Sequence, residues 1–237
     1  MIKNTILGCT LLITMLFGWP ALTADDPNID PFENLNRKIY GFNDVADRIV
    51  LAPVARGYQM VTPQFLDDGV TNVFANLNDM SSAINGLLQL SLDTAAVGTG
   101  RFLLNTTVGV LGFFDIATTI GLNRDEADFG QTLAVWGAAS GPYIMLPILG
   151  PATVRSGLGK AVDGQWSWIS HVDHVPTRNA SYAGNIIDGR ADLLRAEELI
   201  TGDRYIFIRD AFLQKRQFLV NGEVVDDFGD EDFDWDE

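Results

Sequence analysis

The residues best suited to chemistry in this chain are few and loosely spaced. His171 and His174 are the only histidines, and with Asp173 and Asp163 nearby in sequence they are the sole candidates for a metal site. A His-x-x-His pair without a third ligand fixed on a defined element is a weak zinc signal, and a polar loop beside Trp166 and Trp168 explains it as simply. Asp125, Glu126 and Asp128 form a second candidate, since paired carboxylates with split pKa values can act as general acid and base. They stand next to Arg124 in a turn-like segment, where helix capping accounts for them with less. No GxSxG elbow, P-loop or GxGxxG opening a helix occurs, and Gly98-x-Gly100 lies inside a helical pattern without a third glycine. The reading is a protein without a catalytic centre, metal or cofactor.

Polarity of a different kind lies in the most apolar stretch, Arg101 to Leu122. Asn105, Thr106, Thr107 and Asp115 interrupt it, together with Gly109, Gly112 and Gly121. The stretch is nearly long enough to cross a bilayer, but these residues argue for two short helices joined by a glycine-rich bend. Polar groups there either cap the short helices or line a path that carries something polar through apolar surroundings.

The elements that would hold such a path are predominantly helical. Asp30-Pro31 with Glu33 reads as a helix start. Phe32, Leu35, Ile39, Phe42, Val45 and Ile49 follow at spacings of three and four, up to a stop before Pro53. Thr62-Pro63 restarts a helix carrying Val70, Val73 and Leu77, Asp79 reads as the start of the next, and Asp93 as the cap of one reaching Phe102. Asp128 opens a segment ending at Gly137. The three prolines between Ser140 and Pro151 allow only a short strand or an extended wall segment. Two longer helices follow, over about Thr177–Ile200 and Asp203–Val220, the second stopped by Asn221-Gly222. The fold class is mainly α, in a single domain.

Composition divides the chain. It has 237 residues, 47% of them hydrophobic, a mean hydropathy of +0.11 and a net charge of -15. Much of the charge sits in an acidic tail, residues 223–237, which has no Lys or Arg and repels itself. It serves as a solubilising tail or, through Phe228, Phe233 and Trp235, as a docking tail for a basic partner. No basic stripe exists to meet nucleic acid. At the other end, Lys3 precedes an apolar run from Ile6 to Leu22, the pattern of a secretory signal over residues 1–24, with the mature domain over 25–222. Cys9, the single cysteine, ends a lipobox-like Ile6-Leu7-Gly8-Cys9 but has too short a leader before it, and reads as part of the signal core.

Several segments in fixed order resemble the MlaA/VacJ family: Asp30 to Arg37, Phe42-Asn43-Asp44, Pro53-Val54-Ala55, Val61 to Gln64, Gly69 to Leu77, Arg101 to Gly109, Phe114 to Ala117, Asp128 to Leu133, Gly141 to Pro147 and Tyr205 to Gln214. The resemblance implies a ring of amphipathic helices embedded in the outer membrane of a Gram-negative bacterium. Its passage would take misplaced phospholipids from the outer leaflet and pass them to a soluble periplasmic carrier, in association with a trimeric porin, so keeping the membrane asymmetric. In that setting Asn105, Thr106, Thr107, Gly109, Gly112, Asp115, Gly141, Pro142 and Tyr143 are the candidate lipid-path residues. The competing readings are a porin-associated scaffold with no path of its own and, more distantly, a secreted hydrolase.

Overall fold

A computed structural model describes residues 29–197, 200 and 202–222; the signal, Cys9 and acidic-tail readings lie outside them. The order is α1 (Glu33–Ala46), a π-helical turn (Asp47–Leu51), α2 (Ala52–Val61), α3 (Gln64–Leu88), α4 (Leu92–Thr107), α5 (Ile116–Thr119), α6 (Phe129–Val135), β1 (Tyr143–Leu146), β2 (Gly150–Thr153), α7 (Val154–Trp166), a 3-10 turn (Trp168–His171), α8 (Val175–Glu197) and α9 (Arg204–Asn221). None of the described helices is long and apolar enough to cross a membrane.

Three local rules account for most boundaries. Asp128 caps α6 in a reciprocal box with Gln131, Thr153 caps α7 in another with Ser156, and Asp203 accepts from the first amides of α9. Gly222 closes α9 in the left-handed conformation. β1 and β2 form an antiparallel hairpin in which Tyr143 pairs with Thr153 and Leu146 with Gly150.

Other expectations need correcting. The first helix does not stop before Pro53: the π turn carries it into α2, and this widened turn accommodates the proline ring and its missing N–H. Asp79 starts no helix. It is buried in the middle of the unbroken α3, bonded to Arg101 and Arg124. The cap position of α4 is Ser91 rather than Asp93, and α4 runs on to Thr107, so the two expected short helices are one of sixteen residues and a single turn, α5. The bend between them is where the glycines placed it. Val110, Leu111 and Gly112 are consecutive residues at positive φ.

The small apolar core gathers Ile29, Tyr143, Met145, Tyr205 and Leu213 under the hairpin. Elsewhere the helices meet through small and polar residues. A Cβ on Gly98 of α4 would stand 2.7 Å from the Asp79 carbonyl of α3, and one on Gly86 would stand 2.7 Å from the Ala95 amide, so these two helices touch backbone to backbone.

Candidate functional site

From Asn72 to its C-terminal end, the inward side of α3 carries a row of polar residues among small ones, Ala83 and Gly86. Asn72, Asn76, Asp79, Ser82, Asn85 and Gln89 recur at intervals of three and four, which places them on one helical face. Each is hydrogen-bonded to a segment outside α3. Asn72 donates to the Phe113 carbonyl and Asn76 to Thr106 Oγ1. Ser82 accepts from the Ala127 amide. Asn85 donates to Asp163 and accepts from Thr132, to which Gln89 also donates.

At the centre lies Arg101, whose side chain has no solvent exposure. Its Nε donates to Asp79 at 3.1 Å, one terminal nitrogen to Asp115 at 2.9 Å, and the other to Thr118 Oγ1 and the Leu122 carbonyl. Arg124 holds the second oxygen of Asp79 at 3.0 Å. Burial pushes the Asp115 carboxyl up, but donors from Thr118, Arg101 and Asn105 outweigh burial and hold it well below the usual carboxylate range. A depressed native pKa makes this contribution complete above the ordinary carboxylate value and lost as pH falls toward the depressed one.

The exterior is the reverse. Of the apolar stripe of α1 and its extension, Phe32, Leu35, Phe42, Val45 and Ile49 are exposed, Ile49 by 70%, while Ile39 packs against the core. Leu87, Leu90, Leu92, Leu103, Val108, Val110, Leu111, Phe114 and Ile120 are exposed along α3, α4 and the bend. A surface so apolar around an interior so polar suits a lipid solvent.

The hairpin is held by α1 through two asparagines seven residues apart. Asn36 accepts from the Met145 amide and donates to the Tyr143 carbonyl and to Asp30. Asn43 accepts from the Ile148 amide and donates to the Leu146 carbonyl. The Asn36 amide thus takes positions beside β1 that a third strand would fill, and Asn43 ties the end of β1 to the turn that follows it. Because Asn36 is buried, Asn36→Ala should destabilise the protein by about 2–3 kcal/mol through orphaned backbone groups. Thermal unfolding in detergent checks this, with the exposed Leu35→Ala as a control expected to change little.

Of the candidate path residues, Asn105 and Asp115 come together: Asn105 donates to Asp115, which caps α5 and accepts from the Thr118 amide. Thr106 is bonded to Asn76, while Thr107 is exposed and donates to its own helix. Gly109 and Gly112 are buried in the bend, Gly112 with φ +89° and no room for a Cβ beside Asn76. Gly141, Pro142 and Tyr143 are buried elsewhere, at the hairpin. The histidines bind their own segment, His171 to Ser167 and Ser170 and His174 to Thr177. Among the described residues no group of three could hold a metal. Asp163 is engaged with Asn85 and the Phe129 amide, Asp125 with Thr94, and Asp128 with Arg216, so the carboxylates do not pair with one another.

Two neighbouring clefts escaped the sequence reading. One, of about 540 Å³, is lined by Arg56, Gln59, Thr62, Gln64, Asp67, Asp68 and Asp192 among others. The other, of about 620 Å³, shares Arg56 and Gln59 with it and adds Asp47, Arg48, Arg190, Glu197 and Arg204. Arg190 grips both oxygens of Asp47 and also reaches Glu197, so the second cleft joins the π turn to α8. These residues lie up to about two thirds of the chain apart, from Asp47 to Arg204, beyond any local motif.

The sequence model of the MlaA lipoprotein family matches residues 28–219. The chain belongs to the MlaA lipoprotein family. Among MlaA relatives, the intermembrane phospholipid transport system lipoprotein MlaA of Escherichia coli K12 is 34% identical over 93% of this chain and 90% of its own length. Its counterpart in Haemophilus influenzae is 35% identical over 83% and 82%. An uncharacterized protein of Rickettsia typhi is 43% identical over 126 residues, 53% of this chain; the match spans about half, 50%, of that relative's length. A solved structure described as the structural basis for maintenance of bacterial outer membrane lipid asymmetry superposes with a TM-score of 0.71 at 32% identity, over 81% of this chain and 99% of the other. The MlaA fold is therefore the fold of this mainly helical domain.

Proposed function

We propose that this chain is an outer-membrane phospholipid transporter and no enzyme, a passive conduit that removes misplaced phospholipids from the outer leaflet and so maintains lipid asymmetry. The observation that carries this reading is the inverted burial: an apolar exterior suited to acyl chains encloses polar and charged groups. It agrees with the transport system named for the E. coli relative. In this reading the helices form a ring lying in the membrane, and the lipid leaves to a soluble periplasmic carrier, with a trimeric porin as neighbour. The clefts around Arg56 and Gln59 offer charges of both signs to a headgroup. The Asn105–Asp115 network and the Gly109–Gly112 bend shape the wall beside the path.

Site-directed photocrosslinking tests it. A photoreactive residue replacing Gln59 in the full chain, expressed in cells, should form adducts with phospholipid that carry an intact headgroup. Adducts at the exterior position Ile49 but none at Gln59 would contradict a headgroup path through the clefts.

A further inference from the structure

The tryptophans among the described residues, Trp136, Trp166 and Trp168, stand together and are half exposed. Trp136 and Trp166 both meet Phe129 edge-on, with ring centroids 5.8 and 5.7 Å away. Trp168 lies nearly parallel to Phe102 of α4 at 6.3 Å. The indole N–H of Trp136 donates to the carbonyl of Leu88, the last residue of α3, next to the start of α4. Phe102 stands ten residues beyond Leu92, about 15 Å along the helix axis. Trp136 thus stands by the start of α4 and Trp168 by its C-terminal half, and Trp166, which shares Phe129 with Trp136 and lies two residues before Trp168, links them into a row.

What adjoins the row is of two kinds. The α3–α4 turn projects Leu87, Leu90 and Leu92, with Leu90 86% exposed in a left-handed conformation. Past Trp168 the chain turns polar, with His171, Asp173 and His174 all exposed. An indole has an apolar body and a single polar N–H, and it collects where hydrocarbon gives way to headgroups.

We propose that Trp136, Trp166 and Trp168 form the lipid–water boundary of the embedded domain: α4 lies in the plane of the membrane, the row rests among phospholipid headgroups, and the leucine turn enters the acyl chains beside it. The inference rests on the embedded reading above and adds the orientation of the domain. Lipid rather than protein is the occupant because the row is continuous with the apolar exterior of α4 and of the bend, at Leu92, Leu103 and Val108.

Depth-resolved fluorescence quenching tests this on the full chain in nanodiscs of phosphatidylethanolamine and phosphatidylglycerol. The lipids carry bromine near the headgroup, at mid-chain or at the chain end. In three variants that each keep one of these tryptophans, with every other tryptophan changed to phenylalanine, the loss of fluorescence should be greatest with the shallow label and equal for all three. Strongest quenching of any one of them by the chain-end label would overturn the row. Insensitivity of all three to every lipid label would also overturn it, since a protein surface would then cover them. The unaltered chain keeps the test open if a variant misfolds: its quenching should be greatest with the shallow label, and a chain-end maximum counts against the boundary. A chain that crosslinks phospholipid at Gln59 while its tryptophans sit at unequal depths would sink the boundary alone and leave the transport reading standing.

Discussion

Arg101→Ala should lower the stability of the folded protein by about 3–5 kcal/mol, the cost of leaving buried carboxylates without their counter-ion. Asp79 is 1% exposed and would retain only Arg124, while Asp115 would lose one of the donors that hold it ionised. The damage would spread, because Arg101 joins α3, α4, α5 and the Leu122 carbonyl. Arg101→Lys should recover little of the loss, since one ammonium cannot reach the four acceptors that the planar guanidinium spans. Thermal unfolding of the detergent-solubilised protein measures both. A melting temperature unchanged by Arg101→Ala would show that the polar interior is not what holds these helices together.

Gly112→Leu should combine a backbone and a packing penalty. Its φ of +89° is unfavourable for a side chain, and a Cβ there would stand 2.7 Å from Asn76. The left-handed backbone alone costs roughly 1–2 kcal/mol, and displacing Asn76 also breaks its bond to Thr106. Total apolar area on the exterior is untouched, so membrane association should persist while the wall beside the path is distorted. The expected result is protein present in the outer membrane together with raised outer-leaflet phospholipid, and a milder form of the same with Gly112→Ala. Normal protein level with normal lipid asymmetry would rule out a role for the bend in shaping the passage.

Much of the element order was legible because it rests on local chemistry. Asp128 and Asp203 start helices and Gly222 ends one through atoms within a few residues, and the glycines mark the bend. Periodicity also found the apolar stripe of α1. It could not by itself say which way the stripe points: Phe42 and Ile49 are exposed while Asn36 is buried, and that choice is made by the solvent around the protein. Asp79 misled because aspartate so often starts a helix, whereas its partners are 22 and 45 residues away. Pro53 misled because a single widened turn absorbs it. α7 carried its own signal in the Thr153–Ser156 box but was hidden behind the proline-rich hairpin.

The site was less legible than the fold. The spine of α3 has a visible period of three and four in Asn, Asp, Ser and Gln, yet polar periodicity ordinarily marks a solvated face. The Asn36–Asn43 pair is a plain seven-residue repeat whose meaning depends on a strand more than a hundred residues later. The clefts need Asp67 beside Asp192 and Arg56 beside Arg190, which only the packing of α2 and α3 against α8 brings about.

The most direct measurement is outer-leaflet phospholipid in a Gram-negative strain that lacks its own MlaA, with and without this chain. The account predicts that phospholipid accumulates at the cell surface in the deletion strain and returns to the wild-type level when this chain is expressed in the outer membrane. Accumulation that persists although the chain is folded and present in that membrane would contradict it.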